Sequence, residues 1–381
     1  MSEPVRVAFF VTVDWYFCHH YLALACAVRD AGYRVSVITS VDAHAERIRA
    51  EGLELVPFRI SRKGMNPFSE LSTVARLVRT LRRLKPTLLH NIAQKPVLYG
   101  TLAARLAGVP AVVNGVAGMG YLFTSGDLRA RVVRAMMGGA YRALLAAPNV
   151  RVLVQNPDDQ IQLARLIGVV PTLIPGSGVD IRRFIPRPEP PPPVVVLLAS
   201  RMLWDKGVGQ LVEAARRLRA GGSDARFVLV GTSDPGNPRS VSEAQLRAWN
   251  DEGCIEWWGY RADMPEVLAA AHVACLPSYY REGLPRFLIE AAAAGLPLVT
   301  TDATGCREAV EAGQNGLLVP PRDPEALAAA LRPLIRDAGL RRRMGARSRE
   351  IAEARFAADA IHRAVLGVYD ALLEGPGGTV S

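Results

Sequence analysis

Two glutamates and two cations in the second half of the chain have the types and spacing that chemistry needs. In PSYYREGLPRFLIEAAAAGLPLVT, Glu282 and Glu290 lie eight positions apart, and Gly283, Leu284 and Pro285 separate a strand end from a helix start. That places Glu282 on the loop before a helix N-terminus and Glu290 one to two turns inside the helix. The exposed amides of a first turn, aided by the helix dipole, bind anions such as a pyrophosphate. A carboxylate in front of such a site can accept hydrogen bonds from a sugar's hydroxyls, and one farther along from a ribose. The same pattern also fits an ordinary capped helix with a solvated face. Arg201 and Lys206, in SRMLWDKGVGQLVEA, follow directly on an apolar strand. Two fixed positive charges at a sheet edge can stabilise a departing diphosphate electrostatically, without metal, although loop cations in solvent satisfy the pattern as well.

Other chemistries are not signalled. The first strand runs into DWYFCHH with no glycine, so the dinucleotide fingerprint G-x-G-x-x-G is missing, as are a Walker loop, a D-x-D triplet and clustered histidines. No metal and no cofactor are expected. Cys18, Cys26, Cys254, Cys275 and Cys306 are odd in number and lack C-x-x-C spacing, which argues against disulfides and structural zinc and fits a reducing cytosol. The N-terminus MSEPVRVAFFVTV does not read as a signal peptide, and no run of 18 uncharged apolar residues suggests a transmembrane helix.

The elements that would position these residues alternate regularly. Strands are expected at 5–13, 34–39, 87–91, 111–114, 150–155 and 172–175, with helices at 20–31, 69–84, 97–107, 128–146 and 157–167. Residues 186–193, PRPEPPPP, hold six prolines and read as a linker. The alternation then restarts, with strands at 194–200, 225–231, 255–258, 273–277, 297–301 and 316–319. Helices are expected at 208–220, 242–252, 264–271, 285–294, 306–312 and from 324 onward. The expected fold class is α/β, two Rossmann-like domains of parallel β-α-β units facing each other across a cleft. The divisions are 1–185 for an N-terminal acceptor-binding domain, 186–193 for the linker, 194–360 for a C-terminal donor domain, and 361–381 for a final helix and tail packing back on the first domain.

The second half resembles the donor domain of retaining glycosyltransferases of family 4, which have the B-type glycosyltransferase fold. The resemblance rests on R-x4-K at Arg201 and Lys206, on FVLVG, WWGYRADMPEVLAAAHVACLPS and E-x7-E from Glu282 to Glu290, and on GLPLVTTDATGCREAV followed by GQNGLLVPPRDPEALAAAL, over roughly residues 150–350. It implies that Arg201 and Lys206 contact a donor diphosphate and Glu282 the transferred sugar, these three being the catalytic residues. It further implies that Glu290 binds the ribose, that Gly283, Leu284, Pro285, Arg286 and Phe287 offer backbone amides, and that Gly231, Tyr260 and Arg261 lie beside the base. The implied donor is a nucleotide-sugar, uridine-linked, and the implied activity is a hexosyltransferase acting with retention.

The first half departs from the family at two places. DWYFCHH stands where many members have a Gly-Gly pair, and Asn114 where a histidine is common. DWYF…HH, HNIAQKPVLYG and NGVAGMGYLF nevertheless resemble a bacterial branch that builds lipid-linked surface glycans, which makes His19, His20, Lys95, Asn114 and Gly118 acceptor-cleft candidates. The implied acceptor is a polyprenyl-diphosphate-linked saccharide. A nucleotide-sugar epimerase of the same architecture is the alternative, and a non-catalytic nucleotide-sugar or polyanion binder a third reading.

Charge bears on where an acceptor would be met. The chain carries +10 over 381 residues, and residues 1–185 hold 23 basic and 12 acidic side chains against 23 and 24 in the remainder. Arg76, Arg79, Arg82, Arg83 and Lys85 interleave with Leu77, Val78, Leu81 and Leu84, and Arg129, Arg131, Arg134 and Arg142 with a second apolar set. Such helices can lie on anionic lipid, each cation adding about 1 kcal/mol; alternatively their apolar stripes face the domain's own sheet. The expected location is cytoplasmic, peripherally attached to the inner face of the plasma membrane, with no nucleic-acid partner because no recognition motif is present.

Overall fold

The computed structural model describes residues 4–60, 67–116, 118, 139 and 141–374. The chain divides into two compact units, one of residues 1–177 together with 359–381, the other of residues 178–358.

The first unit is built on a seven-stranded parallel sheet. Its strands are β1 (Arg6–Val13), β2 (Arg34–Ser40), β3 (Glu54–Pro57), β4 (Leu88–Ile92), β5 (Ala111–Val116), β6 (Val150–Val154) and β7 (Thr172–Leu173), in the order β3-β2-β1-β4-β5-β6-β7. Strands covered on both faces should be apolar throughout, and β4 and β5 are buried along their whole length. The period of two along β1 sorts the side chains: Ala8 and Phe10 enter the core shared with the helices Pro67–Leu84 and Gln94–Ala107, while Val7, Phe9 and Val11 enter the opposite core. That second core also takes Ile361, Val365 and Tyr369 from the helix Ala358–Leu373, three residues at a spacing of four that share one face. His90 Nδ1 and the Tyr369 hydroxyl meet at 2.6 Å, and Tyr33 donates to Asp370 Oδ1 at 2.6 Å.

The second unit repeats the plan with β8 (Val195–Ala199), β9 (Arg226–Val230), β10 (Glu256–Trp257), β11 (Val273–Leu276), β12 (Leu298–Thr301) and β13 (Gly316–Val319), all parallel, in the order β10-β9-β8-β11-β12-β13. Helix starts carry the side chains expected of them: Ser242, Asp323 and Asp337 each accept an amide from the first turn. In both sheets the order reverses at one place, β1/β4 and β8/β11, and the crevice beyond the strand ends there is the usual ligand position in this architecture.

Four expectations are corrected. The helix expected at 20–31 is present as Leu22–Asp30, but an unforeseen helix, Asp14–His20, precedes it directly after β1, where the buried Asp14 carboxylate accepts the amides of Trp15, Asp42 and His44 at 2.8–2.9 Å. The helix Ala45–Ala50 and strand β3 were not foreseen, being short and mixed in polarity. Residues 306–312 form only a 3-10 turn, Arg307–Ala309, since Asn315 accepts the Glu311 amide and donates to Ala309 O, closing a loop rather than extending a helix. The proline segment is not a free linker but part of the second unit: Arg187 pairs with Glu266 at 2.6 and 2.7 Å, Glu189 with Arg341, and Pro190 O with His272 Nε2 at 3.1 Å. The division therefore falls at 177/178 and again at 358/359 rather than at 186–193 and 361.

Most of the basic helix expected at 128–146, with Arg129, Arg131 and Arg134, lies outside the described residues. On the helix Pro67–Leu84 the apolar stripe of Val74, Leu77, Val78 and Leu81 is buried in the domain core, so it is not available to lipid; Arg76, Arg79, Arg82 and Arg83 face outward. Among the described residues no helix is long and apolar enough to cross a membrane.

Candidate active site

The crevice at the β8/β11 reversal collects the charged residues singled out above. After β8 the chain passes Arg201 and tightens into a 3-10 turn, Trp204–Lys206. Gly207 follows at φ 78°, and a Cβ there would stand 2.1 Å from Pro277 O, so only glycine lets this turn press against the end of β11. The two loops are joined at one atom: Asp205 O accepts Ser278 Oγ at 3.1 Å, Tyr279 N at 3.0 Å and Tyr280 N at 3.2 Å. This junction brings Lys206 Nζ to 2.5 Å from Glu282 Oε1, with the two side chains only 16% and 12% exposed.

Glu282 is held from three further directions. Ser278, fully buried, donates to the same Oε1 at 3.0 Å, and the Glu282 amide donates to Thr304 O at 3.3 Å. Gly305, at φ 81°, packs so closely on this loop that a Cβ would lie 2.2 Å from Gly283 O. Thr301 donates to Ser278 O, and Thr300 to Leu276 O at 2.6 Å, tying the ends of β11 and β12 together. Burial pushes the Cys306 thiol up to about 12, with Glu282 adding to the rise and Lys206 opposing it, so the thiol stays neutral beside the pair. Tyr280 is raised by burial and then by Glu282, against Arg201, which sets its phenol in the field of both.

Arg201 is 44% exposed and pairs with Asp234 Oδ2 at 2.9 Å. Gly231, at the end of β9, has φ 134° and room for no side chain, since a Cβ would lie 1.8 Å from Ser200 O. Its amide donates to Gly259 O at 2.7 Å, and its carbonyl accepts Trp257 Nε1 at 2.8 Å. Beyond it Tyr260 is 73% exposed, and Arg261 pairs with Asp263 while its guanidinium lies 5.9 Å from the Trp258 ring centre. Arg201, Gly231 and the Tyr260–Arg261 turn thus stand along the same strand-end edge as Lys206.

The helix Arg286–Ala293 starts after Pro285, the N-cap residue, which makes no side-chain capping hydrogen bond of its own. Glu290 sits inside it, buried, with Arg286 Nε at 2.6 Å; burial raises its carboxyl and Arg286 opposes the rise. The residues Gly283, Leu284, Pro285, Arg286 and Phe287 form the loop and first turn between the two glutamates. Ser278, Asp205 and the glycines 207 and 305 were not anticipated. Ser278 could have been, since PSYY stands directly ahead of Glu282; Asp205 acts through its carbonyl, which leaves no side-chain signature.

The candidates of the first unit are dispersed. His19 and His20 close the short helix Asp14–His20, where the dipole favours cations, with His19 exposed and the His20 ring 4.5 Å from that of Tyr16. Lys95 pairs with Glu70 at 3.0 Å, and Gly118 is buried at φ 88°. Asn114 is a correction: its side chain is completely buried in β5, where its Oδ1 accepts Asn91 Nδ2 and Thr101 Oγ1, both at 2.9 Å, and it offers no surface to an acceptor.

With this geometry in hand, comparison with known proteins is informative. Residues 193–337 match the family model described as glycosyl transferases group 1, and residues 6–156 that described as glycosyl transferase 4-like. The chain is 27% identical over 353 residues to the N,N'-diacetylbacillosaminyl-diphospho-undecaprenol alpha-1,3-N-acetylgalactosaminyltransferase of Campylobacter jejuni, covering 88% of this chain and 91% of the relative. It is 25% identical over 290 residues to the UDP-Gal:alpha-D-GlcNAc-diphosphoundecaprenol alpha-1,3-galactosyltransferase of Escherichia coli, covering 71% of each. Among solved structures, Anabaena Alr3699/HepE in complex with UDP and glucose superposes with a TM-score of 0.79 at 21% identity, covering 96% of this chain and all of the other. That likeness establishes the two-domain B-type glycosyltransferase fold.

Proposed function

We propose that this chain, which belongs to the retaining group 1 glycosyltransferases of family 4, moves a sugar from a uridine-linked nucleotide-sugar to a polyprenyl-diphosphate-linked saccharide in the building of a bacterial surface glycan. The observation that carries the donor half of this reading is the Lys206–Glu282 pair at the β8/β11 reversal, beside the start of the helix Arg286–Ala293. A cation and a carboxylate in contact, largely shielded from water, form a nearly neutral unit that exchanges partners without net desolvation. When a donor enters, Lys206 turns to the diphosphate and Glu282 to the hydroxyls of the sugar, each trading one charge-assisted bond for another. Arg201, half exposed, supplies the second cation. The amides of Gly283 to Phe287 complete the cradle, Glu290 takes the ribose hydroxyls, and Gly231 with the Tyr260–Arg261 backbone borders the base.

The chemistry follows from those placements. The bond from the anomeric carbon to the diphosphate oxygen breaks, and charge accumulates on the departing diphosphate, where Lys206 and Arg201 stabilise it. The acceptor hydroxyl bonds to the anomeric carbon on the same face and passes its proton to the leaving oxygen, so that configuration is retained. Donor identity as a uridine-linked sugar, and a lipid-linked acceptor, are supported by the Escherichia coli and Campylobacter relatives, whose names specify undecaprenyl-diphosphate acceptors.

His19, His20, Lys95 and Gly118 remain the acceptor-side assignments of this proposal, and the outward arginines of the helix Pro67–Leu84 its contact with the inner membrane face. The test is a screen of uridine- and guanosine-linked sugars for protection against thermal unfolding, followed by transfer to lipid-linked saccharides. Lys206→Ala should keep its fold and lose at least about 100-fold in turnover. Undiminished turnover removes Lys206 from the mechanism, and conversion of donor without any acceptor turns the assignment to an epimerase.

A further inference from the structure

Glu282 can act on a substrate only if it stays in place after Lys206 leaves it for the diphosphate, and a buried hydroxyl is placed for that task. Ser278 is fully buried at the end of β11, four residues ahead of Glu282, and its hydroxyl lies 3.0 Å from Glu282 Oε1 and 3.1 Å from Asp205 O. A hydroxyl has one proton to donate. The carboxylate is the stronger acceptor, because a bond to an ionised group is roughly twice as strong as one to a neutral carbonyl. The carbonyl loses nothing by this, since Asp205 O also accepts Tyr279 N and Tyr280 N. The lone pair of Ser278 Oγ in turn accepts Tyr280 N at 3.3 Å, which orients the hydroxyl toward the carboxylate.

From this arrangement we infer that Ser278 is a positioning residue for Glu282: it clamps one carboxylate oxygen while Lys206 is engaged elsewhere, so that the carboxylate meets the sugar in a fixed rotamer. The inference rests on the role given to Glu282 above. It also identifies a clean substitution. Removing the hydroxyl leaves Asp205 O with two amide donors and Tyr280 N with Asp205 O, so the carboxylate alone loses a partner. The backbone of Ser278 is held independently, by Thr301 donating to its carbonyl.

The test uses the full chain, UDP as the binding probe, and turnover with a donor sugar that the screen finds. Ser278→Ala should leave UDP protection against thermal unfolding unchanged and lower kcat about tenfold, the worth of one charge-assisted hydrogen bond. Ser278→Cys, nearly isosteric and a weak donor, should fall between serine and alanine. In a Glu282→Ala background, which leaves the hydroxyl no acceptor at that position, adding Ser278→Ala should cost little more, because the bond it removes serves only that carboxylate. A packing role would instead give additive losses and a cysteine variant equal to wild type. Full turnover of Ser278→Ala, or an additive loss, overturns the inference while leaving Glu282 in its role. Full turnover of Glu282→Gln overturns both.

Discussion

The two units share one architecture and differ in what they do with polar side chains at the strand ends. In the second unit, Lys206 and Glu282, paired with each other, and Arg201, paired with Asp234, stand beyond the ends of β8 and β11 as charged groups at the crevice. In the first, Asn91, Thr101 and Asn114 are neutral and enclosed between β4, β5 and the helix Gln94–Ala107, where Asn114 Oδ1 accepts from the other two while Asn91 Oδ1 and Asn114 Nδ2 find no partner among the described residues. Gly100 exists for this cluster, since a Cβ there would collide with Asn91 Oδ1. Polar groups of the first kind are the ones the proposed function assigns to a ligand; those of the second specify a core.

The sharpest way to break that comparison is to remove one polar group from each side. Glu282→Gln should lower turnover about 100-fold while leaving the melting temperature close to wild type, the behaviour of a residue whose work is done on the substrate. Asn114→Ala should do the reverse, costing roughly 1–3 kcal/mol of stability by taking from Asn91 Nδ2 its 2.9 Å acceptor and leaving kcat per folded molecule unchanged. Thermal melts and initial rates on the same samples decide it; a stable, inactive Asn114 variant would return that residue to the acceptor site.

The contrast also explains what could be read in advance. The strands, most helices and the placement of the R-x4-K and E-x7-E elements at strand ends were legible because buried parallel strands are apolar runs and because these charged residues sit at short offsets from them. Asn114 was misplaced because it was chosen by resemblance, as the last residue of an expected strand where a histidine is common, and its buried partners come from another strand and a helix and leave no mark in its own segment. Asp14 escaped notice similarly, because its three amide partners come from its own helix start and from residues 42–44. The linker misled because proline composition speaks of backbone geometry and says nothing of the Glu266, Arg341 and His272 contacts that fasten it.

A second difference is electrostatic and one of degree. Both units bury a histidine that burial lowers, His272 in the second, but the first holds two: His90, lowered to about 3 beneath the helix Ala358–Leu373, and His362 on that helix itself. A histidine of depressed pKa stays neutral in the fold while the unfolded chain takes up a proton near pH 6.5. The stability it contributes is therefore full above that value and is lost as pH falls toward 3. For His90 alone the loss between pH 7 and pH 5 is roughly 2 kcal/mol. Urea unfolding at the two pH values should show it, and His90→Asn should flatten the slope whatever it does to stability at pH 7; an unchanged slope would mean that another group carries the acid sensitivity.

The smallest expected effect concerns the membrane, and it turns on the same distinction between enclosed and reachable groups. The apolar stripe of the helix Pro67–Leu84 is spent on the core, so the arginines cannot be flanking an inserted hydrophobic face along its length. Arg76 and Arg82 are partly committed, donating to Arg59 O and Leu106 O. Arg79 and Arg83, one turn apart, remain the best placed for lipid phosphate, with the exposed Phe68 and Leu71 at the helix start. Binding of this kind is largely electrostatic, about 1 kcal/mol per cation, and screened within a Debye length of about 8 Å at physiological salt. Co-sedimentation with anionic vesicles should therefore weaken several-fold when Arg79 and Arg83 are both changed to Glu, and weaken again as salt is raised. Phe68→Ser with Leu71→Ser should matter less than the charge change; if it abolishes binding instead, the helix start rather than its basic face is the attachment point.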